Sequence, residues 1–192
     1  NHISCNVVPG TSGGAPGLLK HMDALWEHVR AGHQTIMIHA ATATGKSRKI
    51  PSELVAAIRK SRQASCRLLV VTTTTVDVVG MQSCTTCPSR YRMGFDREGG
   101  VPRHRAHITF TTAGLAMKWY ASLGMRFLEE YDGILFDEMD QMEASTEFAL
   151  LWEIALKTQS RRRFLVAGAS ATFSEKIKGK LAERDAVWIR CE

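Results

Sequence analysis

At 192 residues, 44% of them hydrophobic, the chain is long enough for one domain with a full core, and it holds no unbroken apolar run of the roughly 18 residues that a membrane span needs. Five cysteines, an odd number scattered along the chain, argue against a disulfide framework and for a reducing compartment. A net charge of +6 favours a polyanionic partner such as nucleic acid, although plain solubility accounts for the same excess.

The sequence starts at Asn1 rather than Met, which predicts a piece of something larger. Residues 1–17, with Pro9-Gly10 and Pro16-Gly17, read as a flexible lead-in. From 18 onward a single domain is expected. Leu18, Met22, Leu25, Trp26 and Val29 recur at helical spacing over 18–30, and Gly32 closes that helix. Thr35–His39 reads as a buried strand and 47–60 as a helix, with Pro51 near its first turn and Leu54, Val55 and Ile58 facing the sheet. Arg67–Thr73 is a second apolar strand ending in the threonines Thr72–Thr75, and Val76–Gln82 begins another helix.

Residues 83–106, rich in arginine, glycine and proline, show no regular pattern. His107–Thr111 then reads as a strand, and Ala113–Leu123 as a helix with Leu115, Trp119, Tyr120 and Leu123 inward. Tyr131–Phe136 is an apolar strand, and Ala144–Lys157 a helix striped with Phe148, Leu151, Trp152 and Ala155. Phe164–Ala169 and Val187–Cys191 are strands. Strands alternating with helices, each apolar along its whole length, predict an α/β fold with a parallel sheet covered on both faces. Such sheets bind ligands at the carboxyl ends of their strands.

Chemistry-bearing residues fall at those ends. The apolar strand 35–39 runs into Ala40-Ala41-Thr42-Ala43-Thr44-Gly45-Lys46-Ser47 and then a helix, the setting of a phosphate-binding loop, with Ala40 where the pattern G-x-x-x-x-G-K-[ST] has its first glycine. Small residues let successive backbone N–H groups turn toward a phosphate chain at the positive end of the helix. Lys46 would reach the β- and γ-phosphates of ATP or another NTP, and Ser47 would offer its hydroxyl to Mg²⁺. A turn that merely joins strand to helix is the plain alternative.

The strand 131–136 delivers Asp137 and Glu138. An aspartate there would share the Mg²⁺ with Ser47, and Glu138 would orient and deprotonate the attacking water. A solvated acidic turn gives the same spelling when taken alone. A guanine-specific GTPase is excluded, because asparagine occurs only at 1 and 6 and no Asn-Lys-x-Asp base reader exists. A metabolite kinase predicts an arginine-rich lid rather than an acidic pair followed by Ser170-Ala171-Thr172.

Taken in order, Ala40–Ser47, Asp137-Glu-Met-Asp140 and Ser170-Ala-Thr172 resemble motifs I, II and III of superfamily 2 helicases, and Thr72–Thr75 and 108–120 resemble motifs Ia and Ib. Tyr91-Arg-Met-Gly94 and Thr-Ala-Gly-Leu-Ala at 112–116 are most similar to the DExH helicases of potyvirus-like RNA virus polyproteins, hypoviruses among them. The likeness covers about 18–190. Motif II ends in Asp140, where that viral group has histidine. The resemblance implies the first RecA-like domain of a viral RNA helicase. Its Mg·NTP would bind between this domain and a second RecA-like domain, with Ser170, Ala171 and Thr172 coupling hydrolysis to domain movement. Thr72, Thr73, Thr74, Thr111 and Thr112 would contact the RNA backbone, single-stranded or duplex. Other viral replication proteins would be partners, in the host cytoplasm at replication complexes. A nucleotide- or RNA-binding module with little turnover of its own, or a phosphotransferase outside the helicases, are the alternatives.

Some features point elsewhere. Cys84-Thr-Thr-Cys87 with His104 and His107 lies outside the usual zinc-finger spacing, so zinc is not expected there. Arg161-Arg162-Arg163 precedes a strand and reads as a surface cluster rather than an arginine finger. The four tryptophans and His39 read as core.

Overall fold

The structure, a computed structural model, describes residues 2–3, 17–41, 46–94 and 97–191, with side chains from residue 22 onward. Nine strands are present among the described residues: β1 His2–Ile3, β2 Thr35–Ala40, β3 Leu68–Thr72, β4 Ser89–Arg92, β5 Glu98–Gly100, β6 Ile108–Thr112, β7 Gly133–Asp137, β8 Leu165–Ser170 and β9 Ala186–Cys191. They form one sheet in the order β1-β9-β2-β8-β7-β3-β6-β4-β5. Every neighbouring pair is parallel except β4 with β5. The expected α/β architecture is thus present, and it is compatible with a RecA-like domain.

The helices are α1 Gly17–Ala31, α2 Lys46–Arg62, α3 Thr75–Cys84, α4 Ala113–Leu123, α5 Met139–Met142, α6 Thr146–Arg161 and α7 Glu175–Ala182. Alternate side chains of each strand enter opposite cores. Ile36, Ile38, Leu68, Val70 and Leu135 pack with α1, α2 and α3. Met37, Leu69, Ile134, Phe136 and Val166 pack with α4, α6 and α7. On the second face Phe136 lies 5.3 Å from both Phe148 and Trp152, ring centroid to centroid. Each such pair adds about 1 kcal/mol to the burial of its rings. No described helix is long and apolar enough to cross a membrane.

Caps fix where several helices begin. Thr74 accepts from the Asp77 amide while the Asp77 carboxylate accepts from the Thr74 amide, a reciprocal capping box at α3. Ser145 and Ser174 cap α6 and α7 through the amides of Phe148 and Ile177. Pro51 sits in the second turn of α2 rather than the first, and its missing N–H leaves the Ser47 carbonyl without its helical partner.

Several expectations are corrected. The stretch 83–106 contains two strands, because Arg90 and Arg92 do what apolar residues do elsewhere. Arg90 is buried in an ion pair with Glu98, and Arg92 lies 4.3 Å over the Trp119 ring. Leu123 does not face inward; it is 56% exposed at the end of α4. Helix α7 occupies a stretch that carries no expected element, with Ile177 and Leu181 buried beneath it. Arg161 and Arg163 are at the surface as expected, but half-buried Arg162 donates to the carbonyls of Leu128 and Tyr131, each at 2.6 Å, and clasps the loop before β7. Of the segment read as a lead-in, residues 2 and 3 pair with β9 and residue 17 opens α1; the rest lies outside the described residues.

Candidate functional site

Parallel pairing brings the carboxyl ends of β2, β8, β7, β3 and β6 to one rim of the sheet. The register sets His39 beside Ser170, Ala169 beside Asp137, and Thr72 beside Thr112. Strand β8 therefore stands between the strand that leads into the phosphate-loop sequence and the strand that carries the acids.

Ala40 is buried at the end of β2, Ala41 is exposed, and Thr42, Ala43, Thr44 and Gly45 lie outside the described residues. Lys46 opens α2 with only 3% of its side chain exposed, and its Nζ lies 2.7 Å from Glu138 Oε1. The Ser47 hydroxyl is hydrogen-bonded to the Asp137 carboxylate. Asp137, the last residue of β7, is 2% exposed. Burial pushes its carboxyl up to about 6, and the neighbouring Glu138 charge adds to that, against the Ser47 hydrogen bond, the Lys46 ammonium and the Glu138 backbone N–H. Desolvation wins because the ammonium is engaged with Glu138.

Two carboxylate oxygens at this point, Asp137 Oδ1 and Glu138 Oε2, are buried without a hydrogen-bond partner among the described residues. Orphaned buried acceptors are uncommon and costly. Asp137 with the Ser47 hydroxyl bonded to it offers hard oxygen donors, which fit Mg²⁺ rather than a soft metal. The backbone at Glu138 is left-handed, φ 56° and ψ 51°, a conformation that costs a side-chain-bearing residue about 1 kcal/mol or more. It turns the chain between β7 and α5, so that Asp137 and Glu138 point to different parts of the site.

Asp140 ties this cluster to β8. Ser170 Oγ donates to Asp140 Oδ1 at 2.6 Å, the Asp140 amide donates back at 3.3 Å, and Thr172 Oγ1 donates to Asp140 Oδ2 at 3.2 Å. His39 Nε2 donates to the Ala171 carbonyl at 2.6 Å, linking the end of β2 to the same segment. His39 is thus half-buried at the rim and not the core residue expected; only its hydrogen bond gives it away, and no sequence signal does. Close packing beneath the acids is set by Gly168 in β8, where a Cβ would fall on Met139 Sδ and 2.9 Å from Met37 Sδ.

The threonines divide. Thr72 and Thr111 have buried side chains, whereas those of Thr73, Thr74 and Thr112 are not buried. Thr73 and Thr74 both donate to Asp77 Oδ2, at 2.8 and 2.6 Å, and Thr112 caps α4 through the Leu115 amide. Thr73, Thr74 and Thr112 remain accessible at the rim. Among the described residues no group of three or more His, Cys, Asp or Glu side chains is gathered as a metal cluster, and His107 Nδ1 is 3.2 Å from the Cys66 carbonyl. Compared with the models of known protein families the chain matches none, and no curated protein sequence matches it.

Proposed function

We propose that this domain binds and hydrolyses a nucleoside triphosphate with Mg²⁺, as the first motor domain of a viral RNA helicase. The observation that carries the reading is the meeting of Lys46, Ser47, Asp137 and Glu138, from two strand–helix junctions far apart in sequence, with two buried carboxylate oxygens left over for a ligand. Ser47 and Asp137 would hold the metal, which when bound would neutralise phosphate charge. Lys46 binds phosphate in place of Glu138. Release from that ion pair leaves the Glu138 carboxylate free to orient a water and take its proton. The Asp140–Ser170–Thr172 hydrogen bonds carry any shift of the acidic turn into β8.

RNA fits the net charge of +6 and the hydroxyls and helix N-termini at the rim, which contact phosphates without reading sequence. A second RecA-like domain would complete the cleft, with replication proteins in the host cytoplasm as the wider setting. The Lys46–Glu138 pair favours a second reading for the domain alone, a module that binds nucleotide or RNA with little turnover, since lysine and base neutralise each other. Phosphate release with and without RNA tests both, measured on the chain and on a longer one that includes the following domain. Stimulation by RNA in the longer protein, lost in Lys46→Ala and Asp137→Ala, is the expected result. Retained hydrolysis in both variants would sink the mechanism, and transfer to a small acceptor with indifference to RNA would make it a phosphotransferase.

A further inference from the structure

Next to the acidic cluster, where β2 and β9 end and α7 begins, lies a cavity of about 470 Å³, walled by His39, Thr172, Phe173, Lys178, Trp188 and Arg190. We infer that this cavity takes the nucleobase of the triphosphate whose phosphates meet Lys46; the inference rests on the nucleotide reading above.

Position is the first argument. His39 immediately precedes Ala40 at the start of the phosphate-loop sequence, and Thr172 Oγ1 is bonded to Asp140. The cavity and the acid cluster therefore share a wall. Its size suits a small ligand, within the roughly 300–1,000 Å³ of ordinary binding pockets.

The lining is the second argument. His39, Phe173 and Trp188 form a chain of edge-to-face rings, centroids 6.1 Å apart for the first pair and 5.1 Å for the second. Phe173 is buried, and the Ala171 carbonyl fixes the His39 ring. Rings already ordered lose little entropy when a flat heterocycle packs on them.

Charge is the third. Both charged walls are cations. Lys178 is paired with Glu175 at 2.6 Å, and Arg190 is exposed with no acidic partner among the described residues. Among the described residues no acid lines the cavity. Its charged donors suit the ring nitrogens or carbonyl oxygens of a nucleobase, and every base presents at least one such acceptor, which predicts binding that is tolerant of the base.

The test is calorimetric titration of the chain, in Mg²⁺, with ATP and with inorganic triphosphate, in the wild type, Trp188→Ala and Arg190→Gln. Arg190→Gln changes an exposed side chain and guards against a fold defect in the other variant. The wild type is expected to bind ATP about tenfold more tightly than triphosphate, and each variant to erase most of that difference without changing triphosphate affinity. ATP affinity unchanged in both variants overturns the inference, as does an equal loss for both ligands. A loss confined to a uridine oligonucleotide titrated without ATP would instead give the cavity to the RNA strand. If the wild type binds triphosphate with no preference for ATP, only the base site falls. If it binds neither, the nucleotide reading falls with it.

Discussion

Replacing Asp137 by Asn isolates the cost of keeping a carboxylate at the end of β7. The folded protein holds this group at about 6, against an ordinary value of 3.8. A raised folded-state value means that folding favours the protonated acid. Stability from this group is therefore complete below pH 3.8 and is lost as pH rises through about 6. At about 1.4 kcal/mol for each pH unit between the two values, the loss is about 3 kcal/mol at neutral pH. Lys46, Glu138 and Ser47 are the groups that act on it. Asn keeps the shape and an acceptor for the Ser47 hydroxyl but has no charge to desolvate. Urea unfolding in EDTA should find Asp137→Asn more stable than wild type by about 3 kcal/mol at pH 7.5, with the advantage gone at pH 4. Equal differences at the two pH values would refute the assignment of desolvation as the dominant cause. Added Mg²⁺ should stabilise the wild type and leave the variant unmoved.

Other perturbations act on the frame around the acids. Ser170→Ala removes the hydroxyl that donates to Asp140 Oδ1 and accepts from the Asp140 amide; a loss of about 1–2 kcal/mol in the same unfolding assay is expected, with a larger fall in RNA-stimulated hydrolysis than in nucleotide affinity. Gly168→Ala drives a methyl against Met139 and Met37, both fully buried, and should cost about 1–3 kcal/mol and raise the KM for NTP although it touches no site residue. Gln63 follows α2 in the left-handed region at φ 51°, so Gln63→Gly should stabilise the chain by about 1 kcal/mol, read as a raised thermal midpoint.

The parallel sheet was legible because its strands are apolar on both faces. Ile36–Ile38, Leu68–Val71 and Ile134–Phe136 have no polar side to face water, and helices must cover both. Lys46, Ser47, Asp137 and Glu138 were visible as candidates as well, since Asp137 and Glu138 stand where the apolar strand β7 stops and Lys46 and Ser47 open the helix that follows β2. What sequence patterns hide is the use of charged or polar side chains as packing material. Arg90 and Arg92 build β4 through an ion pair and a stack on Trp119, so their stretch reads as loop. Thr72 and Thr111 look like surface hydroxyls, yet a threonine also fits a buried strand position. The Lys46–Glu138 contact joins residues 92 positions apart in order of sequence, and only the fold brings them together.

At the β5 border the sheet ends in a strand of only three residues. Very short edge strands are one of the ways proteins keep a sheet from recruiting a foreign strand. On the β5 side Gly100 adds φ 94° and lies against the Ser89 carbonyl, a bend that breaks the straight ladder another chain would need. Association by prolonging the sheet past β5 is thereby hindered. A protein partner that arrives on that side must instead meet the helical faces or the rim where the strands terminate, which leaves assembly and chemistry to compete for, or to share, the same ground.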